Sequence, residues 1–157
     1  APNAGVFIEC NNLTIQSGGQ IDVDYAGFQG RIGTGSGYGP GGGGNVANNG
    51  AGGGHGGKGG AGAAGSPGGL AYGSQSYPIT LGSGGAGDRQ RNGGPGGGYV
   101  KIVATATVNL GSTNSISAIG GDYWGITYNA AGGAGGGINI RCKNWIGSGT
   151  IRANGGN

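Results

Sequence analysis

The sequence predicts an all-β fold: a glycine-rich β-solenoid-like or stacked-sheet domain with polyglycine-II-type extended helices and almost no α-helix. Three observations predict it. Three segments repeat one strand–turn–strand pattern, glycine supplies 48 of the 157 residues and lies mostly between those segments, and aliphatic residues are scarce. Leu, Ile, Val and Phe together number 25, about 16% of the chain, below the level usual for a folded domain. Disorder also wants high net charge, and the formal charge is only +3 with 8% charged residues. Each ordered glycine costs roughly 0.5–1 kcal/mol relative to alanine in regular structure. An ordered chain of this composition must rely on backbone hydrogen bonding or on self-association for much of its burial.

The first unit, 4–27, contains "AGVFIECNNLTIQSGGQIDV"; the second, 97–121, "GGYVKIVATATVNLGSTNSISAIGG"; the third, 136–156, "INIRCKNWIGSGTIRANGG". Alternation in each has period two, the mark of a half-buried strand. Val6, Ile8 and Cys10 share one face, as do Val100, Ile102 and Ala104, and Ile138, Ile140 and Cys142. The other face carries Phe7 and Glu9, then Lys101 and Val103, then Asn139 and Arg141. The closing segments align as Ile21 and Val23, Ile116 and Ala118, Ile151 and Ala153. These are three equivalent rungs of a single domain spanning 1–157.

The rungs are separated by glycine-rich insertions at 28–96 and 122–135. From Gly50 to Gly68 every third residue is glycine. Collagen needs a longer strict triplet with abundant proline, and the chain has five prolines. The expectation is an extended threefold helix whose bare glycine faces let neighbouring segments exchange N–H···O=C bonds. The runs Gly41–Gly44, Gly93–Gly98 and Gly132–Gly137 are available as neighbours. A flexible linker is the alternative that composition alone suggests. Against it, Tyr72, Tyr77, Ile79 and Leu81 interrupt the insertion with packing or anchoring residues.

The pattern "GGPGGGYVKIVATATVNLGSTNSISAIGG" followed by "GGAGGGINIRCKNWIGSGTIRANGG" resembles glycine-rich extracellular surface-protein repeats, in which GGGxI/VxI opens a strand and GxIxAxGG closes the unit. More loosely, the chain is similar to domains packed as polyglycine-II helices: glycine-rich phage tail-fibre adhesin tips, the glycine-rich region of the anaplastic-lymphoma-kinase receptor family, and snow-flea antifreeze proteins. The resemblance implies an extracellular scaffold whose loops or flat faces bind. It implies no catalysis and transfers no functional residue.

The residues themselves argue against an enzyme. His55 is the only histidine, and no acid lies within thirty residues of it in sequence to orient it as a base. Asp22 and Asp24 share a strand face, which makes a calcium site conceivable, but no DxDxDG loop accompanies them; a solvated face fits better. Strings such as "GTGSGYG" lack the GK[ST] that a phosphate loop needs. No cofactor and no metal is expected. The eight basic residues are scattered along the chain, unlike a nucleic-acid-binding face. No run approaches the roughly 18 apolar residues of a membrane span.

Cys10 and Cys142 occupy the same position of rungs one and three. Neighbouring rungs would allow an intrachain disulfide. In the order one, two, three, the thiols lie about 9–10 Å apart, too far to bridge, and the bridge would have to join two molecules. Either disulfide points outside the cytosol; two buried free thiols are the plainer alternative. Asn12 opens the sequon "NLT", a possible glycosylation site. Tyr72, Tyr77, Tyr123, Trp124 and Tyr128 are candidate ligand-contact residues if exposed on loops, or caps over the glycine lattice if buried.

The expected function is a secreted, non-enzymatic structural protein, a subunit that stacks head to tail on copies of itself into a filament or surface layer. The alternative is an adhesin recognising a glycan or cell-surface protein through its aromatic loops. An ice-binding protein is the weaker third, because Thr105, Thr107, Thr113 and Thr127 form no single ladder. The chain has no methionine, so Ala1 is expected to be a product of processing or the edge of an excised segment.

Overall fold

In the computed structural model, residues 4–124 and 129–157 are described. Three strand–turn–strand units lie on one another in parallel. The first is β1 (Gly5–Ile15) with β2 (Gln20–Asp22). A small hairpin of β3 (Asn45–Val46) and β4 (Asn49–Gly50) and one three-residue 3-10 turn (Ala63–Gly65) interrupt the long insertion. The second unit is β5 (Tyr99–Leu110) with β6 (Ser115–Ser117). The third is β7 (Gly137–Arg141) and β8 (Asn144–Ile146) with β9 (Thr150–Arg152). No α-helix occurs among the described residues, so the all-β reading holds.

The two sheets repeat the same order. β5 lies between β1 on one side and β7 and β8 on the other; β6 lies between β2 and β9. Every one of these pairings is parallel, with Val6, Val100 and Ile138 level with one another, as are Ile21, Ile116 and Ile151. Period-two alternation therefore aims the same positions of all three units into the space between the sheets. β5 is long enough to serve all of β1 on one edge and both β7 and β8 on the other.

β5 also carries one residue more than its neighbours. Cys10 pairs with Ala104 but Asn12 with Thr107, so β5 bulges at Thr105–Ala106. The Asn12 side chain fills the gap: its Oδ1 accepts the Thr107 amide at 3.2 Å, while Asn11 Oδ1 accepts the Thr105 hydroxyl at 2.8 Å. The strand–strand corners turn at Gly18 (φ 77°) and Gly147 (φ 102°), where a residue with a Cβ is disfavoured. Thr113 ties the first two corners together, accepting from Gly18 N and meeting Ser17 Oγ at 3.1 Å.

The core is almost entirely the middle unit. Val100, Ile102, Val108, Leu110, Ile116 and Ala118 are fully buried. Their counterparts Val6, Ile8, Leu13, Ile21, Ile138 and Ile140 are only partly buried against them. Ladder bonding continues past the strands into glycine: Val23 N reaches Ser117 O and Tyr25 N reaches Ile119 O, while Gly120 N reaches Asn154 O.

There the sheets give way to a lattice of segments held by backbone bonds. The segment 82–88 is buried throughout, and its successive amides radiate to different neighbours: Gly82 to Gly97, Gly84 to Tyr38, Gly85 to Gly94, Ala86 to Ala51 and Gly87 to Gly35. The triplet stretch folds back on itself rather than running straight, with Gly52 N on Gly60 O, Gly59 N on Gly69 O and Gly69 N on Gly52 O. A Cβ at Gly50, Gly53, Gly59, Gly62 or Gly68 would lie 1.9–2.7 Å from a backbone atom, but one at Gly56 would meet nothing. Most positions of the threefold spacing thus fall where segments touch, although Gly54, out of phase, also lies 2.5 Å from Gly69 O, and the turn at Ala64 and Gly65 (φ 53° and 77°) breaks the run.

Candidate functional site

Two surfaces stand out once the chain is folded: the exposed edges of the first and last rungs, and an aromatic groove beside the lattice.

Among the described residues, β1 and β2 have no strand on their outer side, and neither do β7, β8 and β9. The last rung is the barer of the two. Trp145, Ile146 and Ile151 are 41%, 53% and 46% exposed, although Val108 and Ile116, level with Trp145 and Ile151, are fully buried. Trp145 and Ile151 are thus positions built like core but lacking the next layer, whereas Ile146, level with Asn109, lies on the outward face. Hydrophobic positions left half-covered beside unpaired N–H and C=O groups form a template for further pairing.

Cys10 and Cys142 are free, and both pack against the core cluster. Since β5 separates β1 from β7, the two strands are about two spacings, roughly 9.5 Å, apart. A disulfide needs a Cα separation of about 4.4–6.8 Å, so the intrachain bridge allowed by sequence is corrected by the strand order. Asn12 is exposed on the β1 edge strand with its Oδ1 already engaged by Thr107.

The groove gathers Tyr25, Pro95, Gly121, Asp122, Tyr123 and Trp124 around a volume of about 610 Å³. Trp124 is 86% exposed and Tyr25 55%; Tyr25 is held out by a left-handed backbone (φ 60°). Sequence reasoning missed Tyr25, which sits 99 residues from Trp124 in the chain; its only local signal was an aromatic directly after the strand-closing "DVD". Tyr128, the last of the five predicted ligand-contact aromatics, and Thr127 lie outside the described residues.

Tyr77 and Tyr72 sit elsewhere and do different things. Tyr77 covers Lys101, whose Nζ is 5.5 Å from its ring centroid and 4.6 Å from that of Phe7. Tyr72 is a strut: its hydroxyl donates to Leu81 O and accepts from buried Ser83 Oγ, which itself accepts from Gly41 N at 2.9 Å. The ring of buried His55 meets Tyr72 edge-on at 5.0 Å, and His55 Nε2 lies 2.7 Å from Thr80 Oγ1. Burial pushes the His55 pKa below its ordinary value, against the opposing pull of the Gly136 and Gly135 backbone. A neutral, packed imidazole with Tyr72 and Thr80 as neighbours is a clamp between insertion and third rung.

Asp22 and Asp24 are likewise structural. Asp22 Oδ1 accepts the Asp24 amide at 2.8 Å, and Asp24 Oδ1 accepts Ser117 Oγ and Ile119 N at 2.5 and 2.6 Å. Among the described residues no group of three or more His, Cys, Asp or Glu is placed to hold a metal ion, and no helix is long and apolar enough to cross a membrane.

Comparison with protein-family models, with curated proteins and with solved structures finds no match to this chain.

Proposed function

We propose that the protein is a non-enzymatic structural subunit of an extracellular filament or surface layer. In this reading the three rungs are a short β-solenoid braced by a polyglycine-II-type lattice. The carrying observation is the contrast in burial along the stack: the middle rung is sealed, while the equivalent positions of both end rungs are half-open. Burying the two large apolar residues at inward positions of the last rung (Trp145 and Ile151) removes apolar surface worth about 25 cal/mol per Å². A parallel edge extends by one strand spacing with each added rung. Extracellular placement is supported by the resemblance to surface-protein repeats and by the Asn12 sequon.

Electron microscopy of the purified protein across a concentration series is the test. Fibres or sheets that appear above a threshold concentration are the expected result; monodisperse particles at every concentration overturn the reading.

A second reading has its own support in the groove. An 86%-exposed Trp124 beside Tyr25 and Tyr123, with Asp122 as an acceptor, offers stacking and hydrogen-bonding groups suited to a sugar ring. On this reading the protein is an adhesin, and the partner is a glycan or a glycosylated surface protein. Glycan-array binding lost in Trp124→Ala with unchanged melting would establish it. The ice-binding alternative lacks such support: Thr105 and Thr113 are exposed at a bulge and at a corner, not along one flat ladder.

A further inference from the structure

Seven of the thirteen charged residues lie in the rungs, and those seven are sorted by rung. The first unit, 4–27, holds Glu9, Asp22 and Asp24 and no base; the middle unit, 97–121, holds Lys101 alone; the third, 136–156, holds Arg141, Lys143 and Arg152 and no acid. Residues that look scattered along the chain therefore form an axial gradient, from an acidic end to a basic end, once the rungs are stacked in the order one, two, three.

The two ends also match residue by residue. Glu9 and Arg141 both stand level with Val103 of the middle strand, and Asp22 and Arg152 both stand level with Ser117. All four end residues are exposed. Asn12 and Asn144 both stand level with Thr107. From Glu9 to Asn12 is three residues, as from Arg141 to Asn144, whereas the bulged middle strand takes four from Val103 to Thr107. The bulge thus separates two end strands of identical spacing. Laid directly on each other, they stay in register along their whole length with no bulge between them.

We infer that the partner of the last rung is the first rung of a second copy of this chain, docked parallel and in register, with Arg141 against Glu9 and Arg152 against Asp22. The inference rests on the self-assembly reading above and adds its polarity and register. Inward positions agree: Trp145 comes to lie on Leu13, Ile151 on Ile21, and Cys142 on Cys10. One strand spacing of about 4.8 Å brings those two cysteines within the Cα separation a disulfide accepts. The alternatives are penalised by charge. First rung on first rung gathers carboxylates, last on last gathers guanidinium groups, and like charges across an interface oppose docking. A heterologous contact of this kind propagates rather than closing.

Charge reversal of one end at a time tests it. One variant carries Arg141→Glu with Arg152→Glu, the other Glu9→Arg with Asp22→Arg. Each presents like charge at both ends, and each is expected to need at least about tenfold more protein than the parent to assemble, a change equal to roughly 1.4 kcal/mol of junction free energy. An equimolar mixture of the two is expected to assemble near the parent concentration, because every junction in an alternating stack regains opposite charges. Asp22 also accepts the Asp24 amide, so Glu9→Arg alone is the companion should the double variant melt early. Diamide, which takes up two electrons and two protons as two thiols join, is expected to cross-link the assembled parent into ladders that Cys10→Ser abolishes. If the parent forms fibres but each variant assembles alone at the parent threshold, the register is wrong while self-assembly stands. Variants that fail alone and are not rescued by mixing also overturn it. A parent that never assembles overturns both.

Discussion

Consider alanine in place of Gly136, where the lattice meets the third rung. An ideal Cβ there lies 1.6 Å from Gly98 O and 2.7 Å from Gly97 O, against an ordinary contact of 3.4–4 Å. Restoring an ordinary distance requires the two backbones to part by nearly 2 Å. Two hydrogen bonds span that contact, Gly97 N to Ala134 O at 2.8 Å and Gly137 N to Gly98 O at 3.2 Å, and a third beside it joins Gly136 N to Ala118 O at 2.8 Å. Each is worth about 1 kcal/mol net, and more when its buried groups are left unpaired. The expected cost is about 3–5 kcal/mol, a large share of the roughly 5–15 kcal/mol that holds a domain folded. Gly57→Ala is the control, since a Cβ there meets nothing within 4 Å and Gly57 is not among the positive-φ glycines. It is expected to be neutral or to stabilise by up to about 1 kcal/mol through the unfolded state. Guanidinium unfolding of dilute protein, followed by circular dichroism, reads both. Equal midpoints for the two variants would refute the claim that close backbone packing holds the lattice together.

Ile102→Ala removes a fully buried side chain of the middle rung and is expected to cost about 2–5 kcal/mol; Ile151→Ala, at a half-exposed position of the last rung, should cost under about 1 kcal/mol in dilute solution. Thermal melts of both variants check the pair. Asn12→Ala strips the acceptor from the Thr107 amide, with an expected loss of about 0.5–1.5 kcal/mol and faster hydrogen exchange at Thr107, measurable by NMR. Because the folded His55 pKa lies below 6.5, the unfolded chain binds the proton first as pH falls. The stability this group contributes is complete above about pH 6.5 and is lost as pH falls through the lower folded value. His55→Asn should flatten that part of a plot of unfolding midpoint against pH between 7 and 4.

The rungs were legible because period-two alternation survives in all three, and because Cys10, Ala104 and Cys142 align without help from structure. Their stacking order was not: nothing local distinguishes a neighbour from a next-neighbour, and only long-range pairing placed β5 between the cysteines. The lattice was legible as glycine spacing but not as topology. The segment 82–88, its most buried part, reads simply as "GSGGAGD", since backbone bonds leave no side-chain pattern to find. The end-to-end charge gradient was available to a count of acids and bases by rung. Tyr25 was out of reach, because its groove partners are assembled by rung stacking rather than by sequence proximity.

The parallel pairing of β1 with β5 has a consequence in time. Gly5 is level with Tyr99, so 94 residues of synthesis separate a strand from its first partner. At roughly 5–20 residues per second, β1 waits roughly 5–20 s with both edges unpaired. Parallel contacts across such sequence distances make folding slow even after the chain is complete, on the millisecond-to-second scale or beyond. Nothing in the first rung can be consolidated until the middle rung emerges, and the third rung docks last. Nascent chains held close together would therefore offer β1 a partner from another molecule before its own arrives, so crowding during synthesis decides which pairing comes first.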